Sequence, residues 1–90
     1  MQPNVELYAL EKFGQAVHEL ITHPGRVQDR LHAAFLRFHP VRATNLPEGE
    51  LRRLFAGIKD DEDASAVAAR IWRLYYGLRD WVKQSERELP

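Results

Sequence analysis

Leu10, Phe13, Val17 and Leu20 recur at spacings of three and four, the interval that brings side chains onto one face of an α-helix. The pattern predicts a first helix over residues 4–22, with Val5, Ala9 and Ile21 widening its apolar stripe. Asn4 is placed to cap it by accepting from the free amides of the first turn. Gly14 costs about 1 kcal/mol relative to alanine inside a helix, so it reads as a point of close helix–helix approach. His23-Pro24-Gly25 stops the segment, because the residue before proline is pushed out of helical geometry.

A second segment, residues 25–38, places Val27, Leu31, Ala34, Phe35 and Phe38 on one face. Arg26, Asp29, Arg30 and Arg37 lie off that face, and His39-Pro40 ends the segment as His23-Pro24 ended the first. After the connection "PVRATN", residues 47–58 predict a short helix. Pro47 is expected near its first turn, Glu48 and Glu50 at the positive end of its dipole, and Leu51, Leu54, Phe55 and Ile58 on its apolar face. Arg52, Arg53 and Lys59 are expected to face water. The loop "KDDED" then supplies a cap, Asp61 or Asp63, for a last helix over residues 63–87. Val67, Ile71, Leu74, Leu78 and Trp81 repeat at helical spacing along about 36 Å of it. No segment alternates with period two. The expected fold is all-α: a compact four-helix domain with mostly antiparallel neighbours and a long C-terminal helix.

Ninety residues are enough for one domain. A chain of this length buries only about 60–65% of the surface its unfolded form exposes, so a second copy would help by covering more. The chain has no cysteine, which excludes disulfides, thiolate metal sites and cysteine nucleophiles. No apolar run approaches membrane-spanning length, and the N-terminal stretch lacks the pattern of a secretory signal, so a cytoplasmic location is expected. Arginine outnumbers lysine ten to three, which suggests GC-rich coding and says nothing of function; a bacterial origin is expected.

The net charge is zero, which gives no general attraction to nucleic acid or to an anionic membrane. Its distribution is uneven. Residues 26–53 hold Arg26, Arg30, Arg37, Arg42, Arg52 and Arg53 against Asp29, Glu48 and Glu50, whereas residues 60–63 are all acidic.

Three groups of residues have chemistry to consider. All four histidines fall between His18 and His39, but none forms an HxxxH pair, and a zinc site needs three or four converging ligands. Helix termination accounts for His23 and His39, and His32 with His39 can form a titrating pair at a contact. The stretch "RIWRLYYGLRDW" interleaves arginines with aromatics. Trp72, Tyr76 and Arg79 fall at i, i+4 and i+7, a stripe separate from the core-facing one, with Arg73 beside it. That stripe is a second buried face of a central helix, a protein interface, since aromatics and arginine are enriched at binding hot spots, or a surface on which nucleic-acid bases stack.

The six arginines of residues 26–53 form the third group, with phosphate contacts as the functional reading and a solvated face as the default. A helix-turn-helix needs a turn of three or four residues, and the gap from Phe38 to Pro47 is about twice that. No nucleophile elbow, glycine-rich phosphate loop or HExxH motif occurs, and a small bundle has little room for a substrate pocket. The expectation is therefore a non-enzymatic protein without metal, cofactor or small-molecule substrate. It would act on a protein partner or on itself as a homodimer, through Trp72, Arg73, Tyr76 and Arg79. The alternative is a nucleic-acid-binding accessory protein using Arg26, Arg30, Arg37, Arg42, Arg52 and Arg53.

Overall fold

The two glycines with positive φ, Gly25 (+110°) and Gly49 (+111°), set where two of the helices begin. Neither conformation continues into a helix, and side chains other than glycine rarely adopt it. In the computed structural model, which describes residues 4–58 and 63–87, the helices are α1 (Asn4–Thr22), α2 (Val27–Phe38), α3 (Glu50–Ile58) and α4 (Ala64–Arg87). A 3₁₀ turn, Ala43–Asn45, lies between α2 and α3, and no strand occurs among the described residues. The fold is all-α, with its longest helix at the C-terminal end.

The link from α1 to α2 is tight. A Cβ on Gly25 would fall 2.8 Å from Asp29 Oδ2, so the turn has no room for a side chain there. Asp29 Oδ2 accepts the Arg26 N–H at 3.0 Å, and the Gly25 carbonyl accepts Arg30 Nε at 3.1 Å. His23 N–H closes on the Glu19 carbonyl and His39 N–H on the Phe35 carbonyl, both at 2.9 Å, so both histidines terminate helices. At the start of α4, Asp63 Oδ1 accepts the Ser65 N–H at 3.1 Å, which makes Asp63 the cap. Asp61, the other candidate, lies outside the described residues, as does the side chain of Asn4.

One apolar cluster joins all four helices. It takes Ala9, Phe13, Ala16 and Val17 from α1, Leu31, Ala34 and Phe38 from α2, and Ile58 from α3. The connection adds Val41 and Leu46, and α4 adds Val67, Ile71, Leu74, Leu78 and Val82. Phe13 lies at its centre, stacked on Phe38 with ring centroids 4.7 Å apart and edge-on to Phe55 at 6.1 Å. Among the described residues no polar or charged side chain is buried.

Glycines position the helix contacts. A Cβ on Gly14 would meet Tyr75 Cε1 at 3.3 Å, so α1 and α4 approach closely there. Gly57 of α3 lies against Arg70 of α4, and Gly77 of α4 lies against Leu51 of α3, each with a side-chain atom 2.7 Å from where a Cβ would stand. These two contacts, 57 with 70 and 51 with 77, set α3 antiparallel to α4.

Several sequence expectations are corrected. The second helix begins at Val27 and the third at Glu50, because a positive φ at Gly25 and at Gly49 interrupts helical geometry. Pro47 therefore precedes α3 and is not in its first turn. Val5 and Ile21 do not widen the buried stripe; they are 49% and 66% exposed. Each is eight residues from Phe13, which at about 100° per residue puts it roughly 80° off the stripe. Val82, not Trp81, completes the buried row of α4, and Trp81 is half-buried. Arg52 is also half-buried, because its Nε donates to the Leu46 carbonyl at 2.9 Å.

Candidate functional site

Along α4 the buried row Val67, Ile71, Leu74, Leu78 and Val82 faces the core. Trp72 and Tyr76 are turned roughly 120° or more away from it by helical geometry. Their rings meet edge to face at 4.5 Å, inclined at 62°. Tyr75 meets Tyr76 at 5.5 Å, and the Arg79 guanidinium lies over the Tyr76 ring at 5.2 Å. The four side chains are thus one ordered surface ladder, in which each aromatic face or edge contacts the next. Trp72 is 44% exposed and Tyr76 half-buried, so neither belongs to the core. Arg79 Nε is buried with no hydrogen-bond partner among the described residues.

Next to this ladder lies a shallow groove between α3 and α4, lined by Glu50, Leu51, Leu54, Trp72, Arg73, Tyr76 and Gly77. Leu51 and Leu54 are half-buried: they pack against the core and also line the groove. Glu50 and Arg73 are exposed, and neither is ion-paired with a described residue. The sequence places Leu51 and Leu54 on the apolar face of the third helix, and they do pack against the core, but it gives no sign that they also wall this groove. Gly57 and Gly77, both inside helices, are the signal that could have located the α3–α4 seam.

The arginines of residues 26–53 are divided by the fold. Arg37 donates from Nε and Nη2 to Glu19 Oε1 at 3.1 and 2.9 Å, which ties α2 to α1. Arg30 is bonded to Gly25, and Arg52 to Leu46, with Glu48 3.8 Å from its guanidinium. Arg26, Arg42 and Arg53 are exposed, and their guanidinium groups have no partner among the described residues.

Glu19 also receives His23, whose Nδ1 lies 3.2 Å from Oε2. The hydrogen bonds from Arg37 hold the Glu19 carboxyl below its ordinary value, with the Arg37 charge and His23 acting in the same direction. His32 and His39 are exposed, and His18 Nδ1 lies 3.4 Å from Thr22 Oγ1. Among the described residues no three His, Asp or Glu side chains converge as metal ligands. A small apolar cavity of about 120 Å³ opens beside His39, between Phe35, Phe38, Val41, Phe55 and Ile58. Among the described residues no helix is long and apolar enough to cross a membrane.

Compared with known proteins, the chain matches no family model, no curated protein and no solved structure.

Proposed function

We propose that this is a small helical cytoplasmic protein that acts by protein–protein contact, self-association included, and has no catalytic role of its own. The contact surface is the Trp72–Tyr76–Arg79 ladder with Arg73 and the adjoining groove. The observation that carries this reading is the placement of Trp72. A large aromatic is held in a fixed ring-to-ring contact at 4.5 Å while 44% of its surface stays exposed. Ordered aromatics beside arginine are the residue types that dominate binding energy at interfaces.

The test is the mass in solution by light scattering, with Trp72→Ala and Tyr76→Ala beside the wild type. The expected result is association by the wild type, a 10.5 kDa monomer for each variant, and stability within about 1 kcal/mol of wild type. Variants that keep the wild-type mass but lose several kcal/mol of stability would place both rings in a purely structural role.

A nucleic-acid role for the arginines of residues 26–53 has less geometric support, because Arg30, Arg37 and Arg52 are engaged within the fold. Binding to duplex DNA or RNA, measured against salt concentration, separates the readings. Neutralised phosphates give a steep negative slope, and the expected result here is no measurable binding.

A further inference from the structure

The groove beside the aromatic ladder has unlike ends. Leu51 lies across Gly77, so its neighbour Glu50 stands at the Gly77 end. Arg73 and Trp72 stand at the other end, four and five residues back along α4, or about 6–8 Å. Among the groove-lining residues one acidic and one basic side chain thus occupy opposite ends, both exposed and neither paired with a described residue, while Arg79, beyond Gly77, is turned onto the Tyr76 ring. A uniformly acidic partner would leave Glu50 against a like charge, and a uniformly basic one would do the same to Arg73. The same groove reversed matches both ends.

We infer that the occupant of this groove is a second copy of the chain, bound about a two-fold axis that passes near Tyr76. This inference rests on the proposed role of the α4 surface and adds the partner and its register to it. A two-fold contact is self-complementary, so what one copy offers at one end it must accept at the other. Reversal sets Glu50 of each copy opposite Arg73 of the other, giving two crossed ion pairs. It also carries Trp72 of each copy onto the Leu51–Gly77 end of the other groove, where the half-buried Leu51 side chain lies across Gly77 and offers an apolar surface. The two α4 helices then run antiparallel, with the Trp72–Tyr76 edges facing each other. A net charge of zero puts no overall repulsion between the copies.

The experiment is sedimentation equilibrium of the full chain from about 1 µM to about 1 mM, the range over which weak protein dimers dissociate. The variants are Glu50→Arg, Arg73→Glu and the double swap Glu50→Arg/Arg73→Glu, each checked for wild-type helicity by circular dichroism. The wild type is expected to show a monomer–dimer equilibrium. Each single swap should weaken it by about tenfold or more, since like charges then face each other twice. The double swap should return to within about threefold of wild type, and an equimolar mixture of the two single variants should dimerise more strongly than either alone.

A wild type that stays monomeric to the top of the range overturns the inference. So does a double swap as weak as the singles. Trp72→Ala tells these failures apart from failure of the surface itself. If it abolishes dimerisation while the double swap brings no recovery, the α4 surface stands and the two-fold register falls. If the wild type is monomeric, a photoreactive residue at position 72 decides the rest. Cross-linking to another protein in the source cells keeps the surface, and no cross-link removes both readings.

Discussion

Truncating Phe13 to alanine tests the central claim about the core. The ring is fully buried, stacks on Phe38 at 4.7 Å and meets Phe55 edge-on at 6.1 Å. Its removal loses the transfer free energy of a phenyl group, leaves a cavity between three helices and breaks both ring contacts. Buried Phe→Ala changes of this kind cost about 3–5 kcal/mol. A chain of 90 residues has a total stability of about 5–13 kcal/mol, so Phe13→Ala should lose about a quarter of it or more. Leu36→Ala is the matched control, because Leu36 is an apolar residue of α2 that is 62% exposed. It should change stability by no more than about 0.5 kcal/mol. Urea denaturation followed by far-UV circular dichroism gives both values, with an unchanged m-value showing that the same transition is compared. A Phe13→Ala loss below about 1.5 kcal/mol, or one equal to that of Leu36→Ala, would refute the placement of Phe13 at the junction of α1, α2 and α3.

Three smaller predictions follow from polar groups. Arg79→Met keeps the aliphatic stem, gives up a cation–π contact of about 0.5–1 kcal/mol and removes a buried, unsatisfied Nε–H that costs about 1–3 kcal/mol. Urea denaturation should therefore show a stability equal to wild type or about 1 kcal/mol higher, and a clear loss would mean that the Nε is satisfied in solution. Asp63→Ala should cost about 1 kcal/mol in the same assay through loss of the α4 cap, with Asp63→Asn retaining most of it. Glu19 is held below its ordinary range, so its contribution is present at neutral pH and is lost as the pH falls through the lower, folded-state value. The stability difference between wild type and Glu19→Gln should accordingly shrink on acidification, and a difference independent of pH would contradict the Arg37–Glu19 bond.

The helices were legible because each leaves a strong apolar period, and α1 runs over the same residues, Asn4–Thr22, that its spacing predicts. The starts of α2 and α3 were not, since they depend on the φ angles of Gly25 and Gly49, and a glycine in sequence does not declare its φ. Gly14 could be read as a point of close approach, and Tyr75 now fills that role. The fate of each arginine was illegible for a different reason. Whether Arg52 meets water or the Leu46 carbonyl depends on how the connection folds beneath it, and a helical wheel holds no such information. The ladder of Trp72, Tyr76 and Arg79 was visible as a stripe, but the groove beside it was not. Its second wall comes from α3, about 20 residues earlier in the chain, and tertiary contacts, those at Gly57 and Gly77 among them, bring that wall into place.

The close approach of Gly14 to Tyr75 also bears on the order of folding events. The α1–α2 and α3–α4 contacts join helices adjacent in sequence, so each pair closes a short loop at small entropic cost and can form early. The α1–α4 contact brings together the first and last helices across about 60 residues, and the central rings are sealed only when it is made. That seam is the natural late step. A bulky residue at position 14 would then mainly accelerate unfolding and leave the folding rate near that of the wild type, and so shorten the lifetime of the native state.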